Sequence, residues 1–387
     1  MSMRTQVAIV GAGPAGLLLA HLLHRQGIDS VVLERQTRAH VEQRIRAGVL
    51  EHGTVRLLRD VGLADRLDRE SMVHDGLELL FEQAGHRIDL TALAGQQITI
   101  YGQHELVKDL IAARLATGRP LLFSAPAVAI ADQVVHYLAD GKEQQLHADF
   151  IAGCDGFHGV TRPACPATTY SREYPYAWLG VLAAAAPSSP ELIYAHHPDG
   201  FALHSMRTPE LTRLYLQVAP DEDLAGWPDD RIWTALATRL HRDDPAWQLT
   251  TGPILEKAVT GLRSVVTEPM RHGRLFLAGD AAHIVPATGA KGLNLAVADV
   301  LVLAAALTDW YATGSETPLD AYSRTCLDRV WRVQQFSAWM TAMLHRSPDP
   351  FTQRLQLAQL RDLTSSTAAA TGFAETYTGL PMPTPPR

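Results

Sequence analysis

The sequence predicts an α/β fold with an α+β insert, in which an antiparallel sheet interrupts a βαβ-type unit and a helical region ends the chain. Three observations support this class. A strand, a glycine-rich turn and a helix open the chain, short alternating strands separated by Pro and Gly occupy residues 172–267, and mostly helical sequence follows from about residue 292. Because 387 residues exceed what one hydrophobic core usually supports, we expect more than one structural unit.

The opening motif has the order of a Rossmann-like dinucleotide fingerprint. Residues 6–10 form an apolar β-branched run, and Gly11, Gly13 and Gly16 follow it at the start of a helix. Gly11 would make the tight turn, Gly13 would let the backbone approach a pyrophosphate, and Gly16 would let the helix pack closely. Glu34 ends the second strand and could accept a hydrogen bond from a ribose hydroxyl. An ordinary βαβ unit with a glycine turn is the alternative, but the complete order of elements favours nucleotide binding.

Composition excludes several classes of protein. A net charge of −7 gives no indication of a nucleic-acid partner, and no apolar run reaches membrane-spanning length, so no membrane partner is expected. Cys154, Cys165 and Cys326 lack the spacing of a metal site, so no metal is expected. They also form no evident disulfide framework, which indicates a reducing compartment and predicts a cytoplasmic protein.

The remaining elements are read from periodicity and turn residues. We predict helices at 49–61, 103–117 and 230–240, and strands at 77–81, 97–101, 127–138, 146–151, 176–183, 191–195, 200–206, 211–218 and 254–262. The expected units are a nucleotide-binding domain whose first part covers 1–171, a sheet domain over 172–267, a return segment over 268–300 and a helical region over 301–387.

Two further motifs give the chain a family resemblance. Cys154-Asp155-Gly156 and Gly279-Asp280-Ala-Ala-His283 follow the glycine motif in the order that class A flavoprotein aromatic hydroxylases use to bind FAD. The resemblance extends from residue 5 to residue 381 through segments 44–51, 101–103, 192–198, 282–286, 288–295 and 377–381. It implies a Rossmann-like FAD-binding domain, an antiparallel-sheet substrate domain and a helical C-terminal region.

The resemblance also implies the residues that contact FAD. Asp280 ends a strand beside the glycine loop, where it would hold a ribityl hydroxyl, although an N-cap role is compatible too. Backbone N–H groups of 289–294 would stabilise negative charge on the reduced flavin ring. The full expected set is Gly11, Gly13, Gly16, Glu34, Arg44, Arg46, Gln103, Asp155, Asp280, Gly292, Leu293 and Asn294.

NADPH or NADH is the implied reductant, and O₂ is the implied oxidant. The residues expected to meet the nicotinamide coenzyme are Arg35, Arg44, His158, Arg162 and Arg263. An arginine-rich run such as 35–46 can also be a plain solvated surface. NADPH-specific members of the family carry a tyrosine where this chain has His40. Glu42 would repel a 2′-phosphate, whereas Arg35 and Arg38 would attract one, so we expect relaxed preference with appreciable use of NADH.

The alternating segment carries a candidate carboxylate site. Ser205 and Arg207 lie two residues apart and therefore on the same face of a strand. With Tyr215 they could bind a carboxylate through charge-assisted hydrogen bonds. Arg207 taken alone would more often be a surface charge, and the family register of the three residues reverses that expectation. The substrate is therefore expected to be a small aromatic acid.

The resemblance implies a proton relay and a reaction. Tyr194 and Tyr377 would deprotonate the substrate phenol and His74 would pass the proton to solvent, although lone tyrosines are more often packing residues. The implied reaction is hydroxylation of 4-hydroxybenzoate at position 3 by a flavin C4a-hydroperoxide, giving 3,4-dihydroxybenzoate. The family commonly forms homodimers. The alternatives are a flavin halogenase, a geranylgeranyl-type reductase and a flavin sensor without turnover. The three residues that could bind a carboxylate, together with both tyrosines, argue against them.

One position departs from the family pattern. Members usually read Val-Pro-Pro-Thr where this chain has Val285-Pro286-Ala287-Thr288. The carbonyl of that position contacts the substrate's para group in the family, and alanine constrains the loop less than proline does. Ala287 is either neutral or permits another para group, with 4-aminobenzoate as the alternative substrate.

Overall fold

The computed structural model describes residues 3–44 and 48–383, and Arg46 lies outside these ranges. The first part of the chain alternates strands and helices. Its elements are β1 (Met3–Val10), α1 (Pro14–Arg25), β2 (Ser30–Leu33), α2 (Arg38–Gln43), β3 (Val49–Leu50), α3 (His52–Asp60), α4 (Asp65–Glu70), β4 (Met72–His74), β5 (Gly76–Phe81), β6 (Ala84–Asp89), α5 (Leu90–Ala94), β7 (Ile98–Ile100), α6 (Gln103–Ala116) and β8 (Leu121–Leu122).

Strands dominate the middle of the chain and helices its end. The middle elements are β9 (Ala127–Ala131), β10 (Val134–Ala139), β11 (Lys142–Gly153), β12 (Thr168–Ala183), β13 (Leu192–Ala195), β14 (Ala202–Thr208), β15 (Leu211–Val218), α7 (Asp229–Arg239) and β16 (Ile254–Glu268). The last elements are β17 (Arg271–His272), β18 (Leu275–Leu277), β19 (His283–Ile284), α8 (Gly292–Thr313), α9 (Thr317–Leu344), α10 (Pro350–Ser365) and α11 (Thr367–Thr378). Short 3₁₀ turns occupy Leu224–Gly226, Gly279–Ala281 and Ala287–Gly289.

A parallel sheet forms the nucleotide-binding part. Its central order is β18-β11-β1-β2-β8, and these neighbours all run parallel. The register pairs Val10 with Leu33 and with Gly153, and Gly153 with Leu277. The carboxyl ends of these strands therefore meet at one edge, which is where ligands bind in open α/β sheets. Sequence motifs that lie far apart along the chain are brought together there.

A second sheet follows the order β19-β16-β12-β15-β14-β13-β5-β6. All its pairs are antiparallel except β13 with β5, which run parallel. The hairpin of β5 and β6 thus joins this sheet from residues 76–89, well outside the alternating stretch at 172–267. One face packs through Leu79 and Tyr194 in a cluster that includes Phe336 of α9. The other face packs on α7 through Ile232 and Leu236.

The predicted fold class is confirmed, and two local predictions are wrong. The strand predicted at 127–138 is a hairpin of β9 and β10, because Asp132 adopts a left-handed φ of 50° and turns the chain. The helix predicted from residue 49 begins only at His52, since Val49 and Leu50 pair with β7 instead.

Within the described ranges, one helix is long and apolar enough to cross a membrane by length and composition. This helix is α8, with 22 residues and a mean hydropathy of 1.6 over its most apolar window. However, 67% of that window is buried inside the protein. Its hydrophobicity is therefore largely used in packing, as expected for a core helix.

Candidate active site

The three motif glycines have different surroundings at the carboxyl edge of the parallel sheet. Gly11 has a φ of +106°, and a Cβ added there would clash with the carbonyl of Cys154. A Cβ on Gly16 would clash with the carbonyl of Gly11. In contrast, a Cβ on Gly13 would meet no described atom within 4 Å. Gly11 and Gly16 therefore permit close packing of the protein on itself, whereas Gly13 borders open space.

The same edge offers hydrogen-bond donors to an anion. Gly13 is the N-cap of α1 and supplies no side-chain cap, and Pro14 follows it. The N–H groups of the first turn are thus left for an external acceptor, and the helix dipole favours negative charge there. A cradle of this kind, open at Gly13, fits the pyrophosphate of FAD.

Glu34 fastens the glycine loop to the end of β2. It is 9% exposed, and its carboxylate accepts hydrogen bonds from the backbone N–H of Ala12 and of Gln36, both at 2.8 Å. Each carboxylate oxygen can accept a second hydrogen bond. The residue therefore keeps the capacity to bind a ribose hydroxyl while it holds the loop.

Asp155 and Asp280 lie at the same edge in different settings. The Asp155 carboxylate accepts from the backbone N–H of Thr161 at 3.0 Å and from the Thr161 hydroxyl, which orders residues 156–161. Burial raises the pKa of Asp155, and these hydrogen bonds oppose the shift. Asp280 is exposed in the turn after β18. A Cβ on Gly279 would lie 3.5 Å from Ala15 of α1, so this turn adjoins the glycine loop.

A buried ion pair supports the turn that carries Asp280. His283 Nε2 lies 2.6 Å from Asp299 Oδ2, and the same oxygen accepts from the N–H of Gly279 at 2.9 Å. Burial by itself would lower the pKa of His283, but the Asp299 carboxylate outweighs burial and raises it. Sequence reasoning quoted His283 within a motif and assigned it no role. Asp299 was not singled out, because it lies outside the sequence motifs named above.

The start of α8 offers a second set of backbone donors. Its N-cap, Lys291, provides no side-chain cap, so the first N–H groups, including those of Gly292 and Leu293, have no side-chain acceptor from the cap. The side chain of Asn294 is engaged elsewhere, since its Oδ1 accepts from the Glu51 N–H and the Thr54 hydroxyl, both at 2.9 Å. Only the backbone of Asn294 is thus placed to take part in anion binding.

The remaining residues expected to contact FAD lie on neighbouring segments. Gln103 is the first residue of α6, and a Cβ on Gly48 would clash with the carbonyl of Tyr101 just before it. Arg44 follows α2 and is exposed. Gly48 therefore lies closely against the segment that leads into α6.

Three buried charges connect α3, α8 and α9. Glu51, 4% exposed, accepts from Lys291 Nζ at 2.9 Å and from Arg329 Nη2 at 3.1 Å. Lys291 Nζ also donates to the carbonyl of Tyr377 at 2.7 Å. Burial lowers the pKa of Lys291, and the Glu51 carboxylate opposes the shift. Sequence reasoning missed this cluster, although Glu51 and Lys291 both lie inside the quoted motifs.

The three residues predicted from sequence to bind a carboxylate, Ser205, Arg207 and Tyr215, come together on β14 and β15. Arg207 Nη1 donates to Ser205 Oγ at 3.2 Å, and Nη2 donates to the Tyr215 hydroxyl at 3.2 Å. Arg207 Nε is buried and has no hydrogen-bond partner in the described ranges. The guanidinium therefore keeps a donor for an additional acceptor, which suits a carboxylate ligand.

The tyrosines predicted from sequence also meet. Tyr194 and Tyr377 are buried, and their hydroxyl oxygens lie 2.7 Å apart. Burial raises the pKa of both phenols, so both are neutral at pH 7. Tyr194 pairs across the sheet with Leu203, which pairs with Tyr215. Tyr194 thus lies on the same face of the second sheet as the residues that could bind a carboxylate. Two strand spacings separate Tyr194 from Tyr215, which places their backbones about 10 Å apart.

His74 lies at the end of β4 and is 2% exposed. Neither of its ring nitrogens has a hydrogen-bond partner within the described ranges. No direct bond joins it to the tyrosine pair among the described contacts.

Ala287 and Thr288 lie in the turn that precedes α8. Ala287 is exposed, and its carbonyl accepts from the N–H of Ala290 at 3.0 Å. Thr288 is buried, and its hydroxyl accepts from the Thr341 hydroxyl at 2.9 Å. The Ala287 oxygen retains a second lone pair for a ligand.

The residues expected to meet the coenzyme fall into two groups. The guanidinium carbons of Arg162 and Arg263 lie over the ring of Phe157, at 3.9 and 4.3 Å from its centroid, and His158 contacts the same ring edge-on. A cavity of about 490 Å³ adjoins this group and is lined in part by Phe157 and Arg162. Arg35 and Arg44 lie apart in sequence, exposed on either side of α2.

Comparison with known proteins places this fold and site among flavin enzymes. The model of the FAD binding domain family matches residues 4–337. The chain is 46% identical to the p-hydroxybenzoate hydroxylase of Acinetobacter baylyi, over 98% of this chain and 96% of that protein. A probable NADH-specific resorcinol 4-hydroxylase of Rhodococcus jostii is 29% identical over 82% of this chain, which spans 61% of that protein. The crystal structure of p-nitrophenol 4-monooxygenase from Pseudomonas putida superimposes with a TM-score of 0.84 at 19% identity, covering 98% and 99% of the two chains.

The chain belongs to the class A flavoprotein aromatic hydroxylases. It is an FAD-dependent aromatic monooxygenase, and a p-hydroxybenzoate hydroxylase matches it over nearly its full length. The sequence-based family assignment is thereby confirmed. A flavin-dependent halogenase shares the fold with a TM-score of 0.75 at 20% identity, which concerns the fold alone.

The unequal surroundings of the motif glycines predict separable effects. Gly13→Ala should fold as stably as the wild type, because its Cβ meets no described atom, yet bind FAD less tightly, because the methyl group enters the anion cradle. Gly16→Ala should unfold at a lower temperature, since its Cβ would clash with backbone. The measurements are thermal unfolding of the apoprotein and titration with FAD.

Gly372→Ala in α11 is the matched control, because a Cβ there also meets nothing within 4 Å. It should leave FAD binding unchanged and stabilise the helix by up to about 1 kcal/mol. Normal FAD affinity in Gly13→Ala would contradict the proposed cradle.

Proposed function

We propose that the enzyme hydroxylates 4-hydroxybenzoate at position 3, giving 3,4-dihydroxybenzoate with NAD(P)H and O₂ as co-substrates. One observation supports the proposal: Arg207, held by Tyr215 and free to bind a carboxylate, lies on the same face of the second sheet as Tyr194, whose hydroxyl meets that of the buried Tyr377. A benzoate with a para hydroxyl can contact Arg207 through its carboxylate and Tyr194 through its hydroxyl at the same time. The name of the Acinetobacter baylyi relative supports the same substrate.

Ser205, Arg207 and Tyr215 would bind and orient the carboxylate of the substrate. Arg207 is already held by Ser205 and Tyr215, so little side-chain freedom is lost when a ligand binds. Its free Nε–H and its charge make the contact charge-assisted. Trp178 lies 4.7 Å from the Tyr215 ring and adds an apolar wall beside the site. Together these groups would fix the ring and expel water.

The tyrosine pair would remove the para proton. Tyr194 would accept the substrate proton as it donates its own to Tyr377, and neither phenol would need to ionise. A more electron-rich ring is a better nucleophile at the carbon ortho to the oxygen. His74 would carry the proton onward to solvent.

Bound FAD would supply the redox chemistry, with NAD(P)H as the source of two electrons and O₂ as the source of the inserted oxygen atom, whose second atom leaves as water. We propose that the glycine loop, Glu34 and Asp280 hold its nucleotide half and that the α8 N-terminus faces its ring. We also propose that the enzyme works in the cytoplasm as a homodimer; the cysteines, all free and buried in the described ranges, suit a reducing compartment.

The two halves of the site should fail differently when mutated. Arg207→Ala should weaken 4-hydroxybenzoate binding by about 2 kcal/mol, or roughly thirtyfold in Kd, because a charge-assisted contact is lost. Tyr377→Phe should leave Kd nearly unchanged and slow hydroxylation, because the proton path is interrupted. Ligand titration and single-turnover product formation separate the two effects.

Matched variants control for unspecific effects. Arg231→Ala removes an arginine of α7 that covers the Trp227 ring, and Tyr170→Phe alters an exposed tyrosine. Both should behave as the wild type. Normal substrate affinity in Arg207→Ala would show that the carboxylate site is misassigned.

Coenzyme preference should be relaxed, with NADH reducing the bound flavin at an appreciable rate alongside NADPH. In the structure Arg38 Nε donates to Glu42 Oε1 at 2.7 Å, so this carboxylate offsets one of the two arginines that could attract a 2′-phosphate. Glu42→Gln frees Arg38 and should shift preference towards NADPH. Stopped-flow reduction with each coenzyme gives the two rates. Strict NADPH dependence in the wild type would refute the prediction.

Ala287 tests the choice of para substituent. We expect 4-hydroxybenzoate to be the better substrate and 4-aminobenzoate a slower one, since an amine gains less from the tyrosine pair. Ala287→Pro stiffens the turn Ala287–Gly289 and should lower the relative rate with 4-aminobenzoate. Product analysis with both acids measures the ratio. An unchanged ratio would mean that residue 287 does not influence selectivity.

A further inference from the structure

A clamped carboxylate of the second sheet lies one strand away from the segment that directly follows His74. The parallel register pairs Leu192 of β13 with Leu77 of β5, so Glu191 lies next to Gly76, two residues after His74. Arg87 of β6 reaches back across β5 and binds Glu191 in a bidentate contact, with Nε and Nη2 each 2.8 Å from a carboxylate oxygen. A Cβ on Gly76 would lie 2.8 Å from Arg87 Nη2. The glycine therefore leaves the space through which this clamp passes.

The clamp fixes Glu191 unusually well for a residue at the sheet surface. Its side chain is only 16% exposed, and Arg87 is itself held by Asp89, whose carboxylate accepts from Nη1 at 2.8 Å. Bidentate pairs fix orientation as well as distance. Glu191 is thus a carboxylate with a defined position rather than a mobile surface group, and its charge is partly offset by Arg87.

The charged and titratable groups that act on His74 lie on three neighbouring segments. Asp75 follows it directly, Glu191 precedes β13 and His204 lies on β14, while Arg87 of β6 binds Glu191 and Asp89. Burial lowers the pKa of His74, and Glu191 opposes this more strongly than Asp75 does. Asp75 Oδ1 is also committed to the Thr91 hydroxyl at 2.8 Å and the Gln97 amide at 2.5 Å.

We propose that Glu191, held by Arg87, is a positioning residue that stabilises His74 as an imidazolium. A buried imidazole without hydrogen-bond partners resists protonation, and a fixed carboxylate nearby offsets that cost. His74 then remains a strong enough base to take the proton that leaves Tyr377. This inference rests on the proposed function for the direction of proton flow, but the charge stabilisation itself does not.

The direct test is an NMR titration of the FAD-loaded enzyme with labelled histidines. The chain has 17 histidines, and the spectrum of His74→Asn identifies the signal of His74. Glu191→Gln should lower the pKa of His74 by about one unit, as the loss of a nearby opposite charge does, and Glu191→Asp should restore part of it. An unchanged pKa in Glu191→Gln overturns the proposal.

A kinetic readout tests whether the effect acts through His74. On mixing with 4-hydroxybenzoate, proton release to an indicator dye should be up to about tenfold slower in Glu191→Gln, because His74 is the weaker base. In a His74→Asn background the same substitution should change nothing further. A full additional loss there would mean that Glu191 acts elsewhere, and would overturn the positioning role.

Glu82→Gln is the matched control. Glu82 follows β5 and makes an equally bidentate pair with Arg361, at 3.1 and 2.5 Å, at the other end of the same hairpin. It should leave the His74 pKa and proton release as in the wild type; a shift as large as that in Glu191→Gln would overturn the assignment. If the wild type releases no proton with 4-hydroxybenzoate, the proposed function fails, while the NMR titration still decides whether Glu191 stabilises the imidazolium.

Discussion

The arrangement of the site depends on one buried carboxylate, Glu51. Removing a carboxylate and two cations from water costs several kcal/mol per ion, and only close pairing offsets that cost. Glu51 must therefore keep Lys291 and Arg329 at 2.9 and 3.1 Å. Both cations also donate to carbonyl groups near the C-terminus, Lys291 to Tyr377 and Arg329 to residues 380 and 381. One ion cluster thus joins the start of α3, the start of α8, the middle of α9 and the end of α11.

This connection couples the two halves of the chemistry. Lys291 directly precedes α8, so its ammonium and the helix dipole add positive potential at the same place. The same ammonium holds the backbone of Tyr377, whose hydroxyl meets Tyr194. A displacement of the start of α8, which we propose faces the flavin, would therefore move the tyrosine pair as well. Buried charges are weak evidence for stability, but these charges restrict the position of the start of α8 relative to the end of α11.

What could be predicted from sequence follows from how local each signal is. The glycine motif, Glu34 and the strand faces at Ser205 and Arg207 depend on neighbours within a few residues, and the fold class followed from them. The hairpin of β5 and β6 was not assigned to the second sheet, because its partner β13 lies more than 100 residues away and strand periodicity does not name a partner. Glu51 and Asp299 were missed for the same reason. A buried acid looks like a surface acid until the cations or the histidine that contact it are known.

The proposed proton path has a tyrosine pair, and not two acids, between Arg207 and His74. The charge distribution along this face of the second sheet explains that choice. Both phenols are buried, and burial raises their pKa so far that neither ionises alone at neutral pH. A hydroxyl can donate and accept at the same moment, so a proton can pass through the pair without leaving a buried charge behind. In the proposed reaction, charge would appear only at the two ends, where Arg207 would face the substrate carboxylate and His74 would take up the proton. The neutral middle and the charged ends would then form one electrostatic arrangement, because a low dielectric penalises an ion in the middle of the path but not the transfer of a proton between neutral hydroxyls.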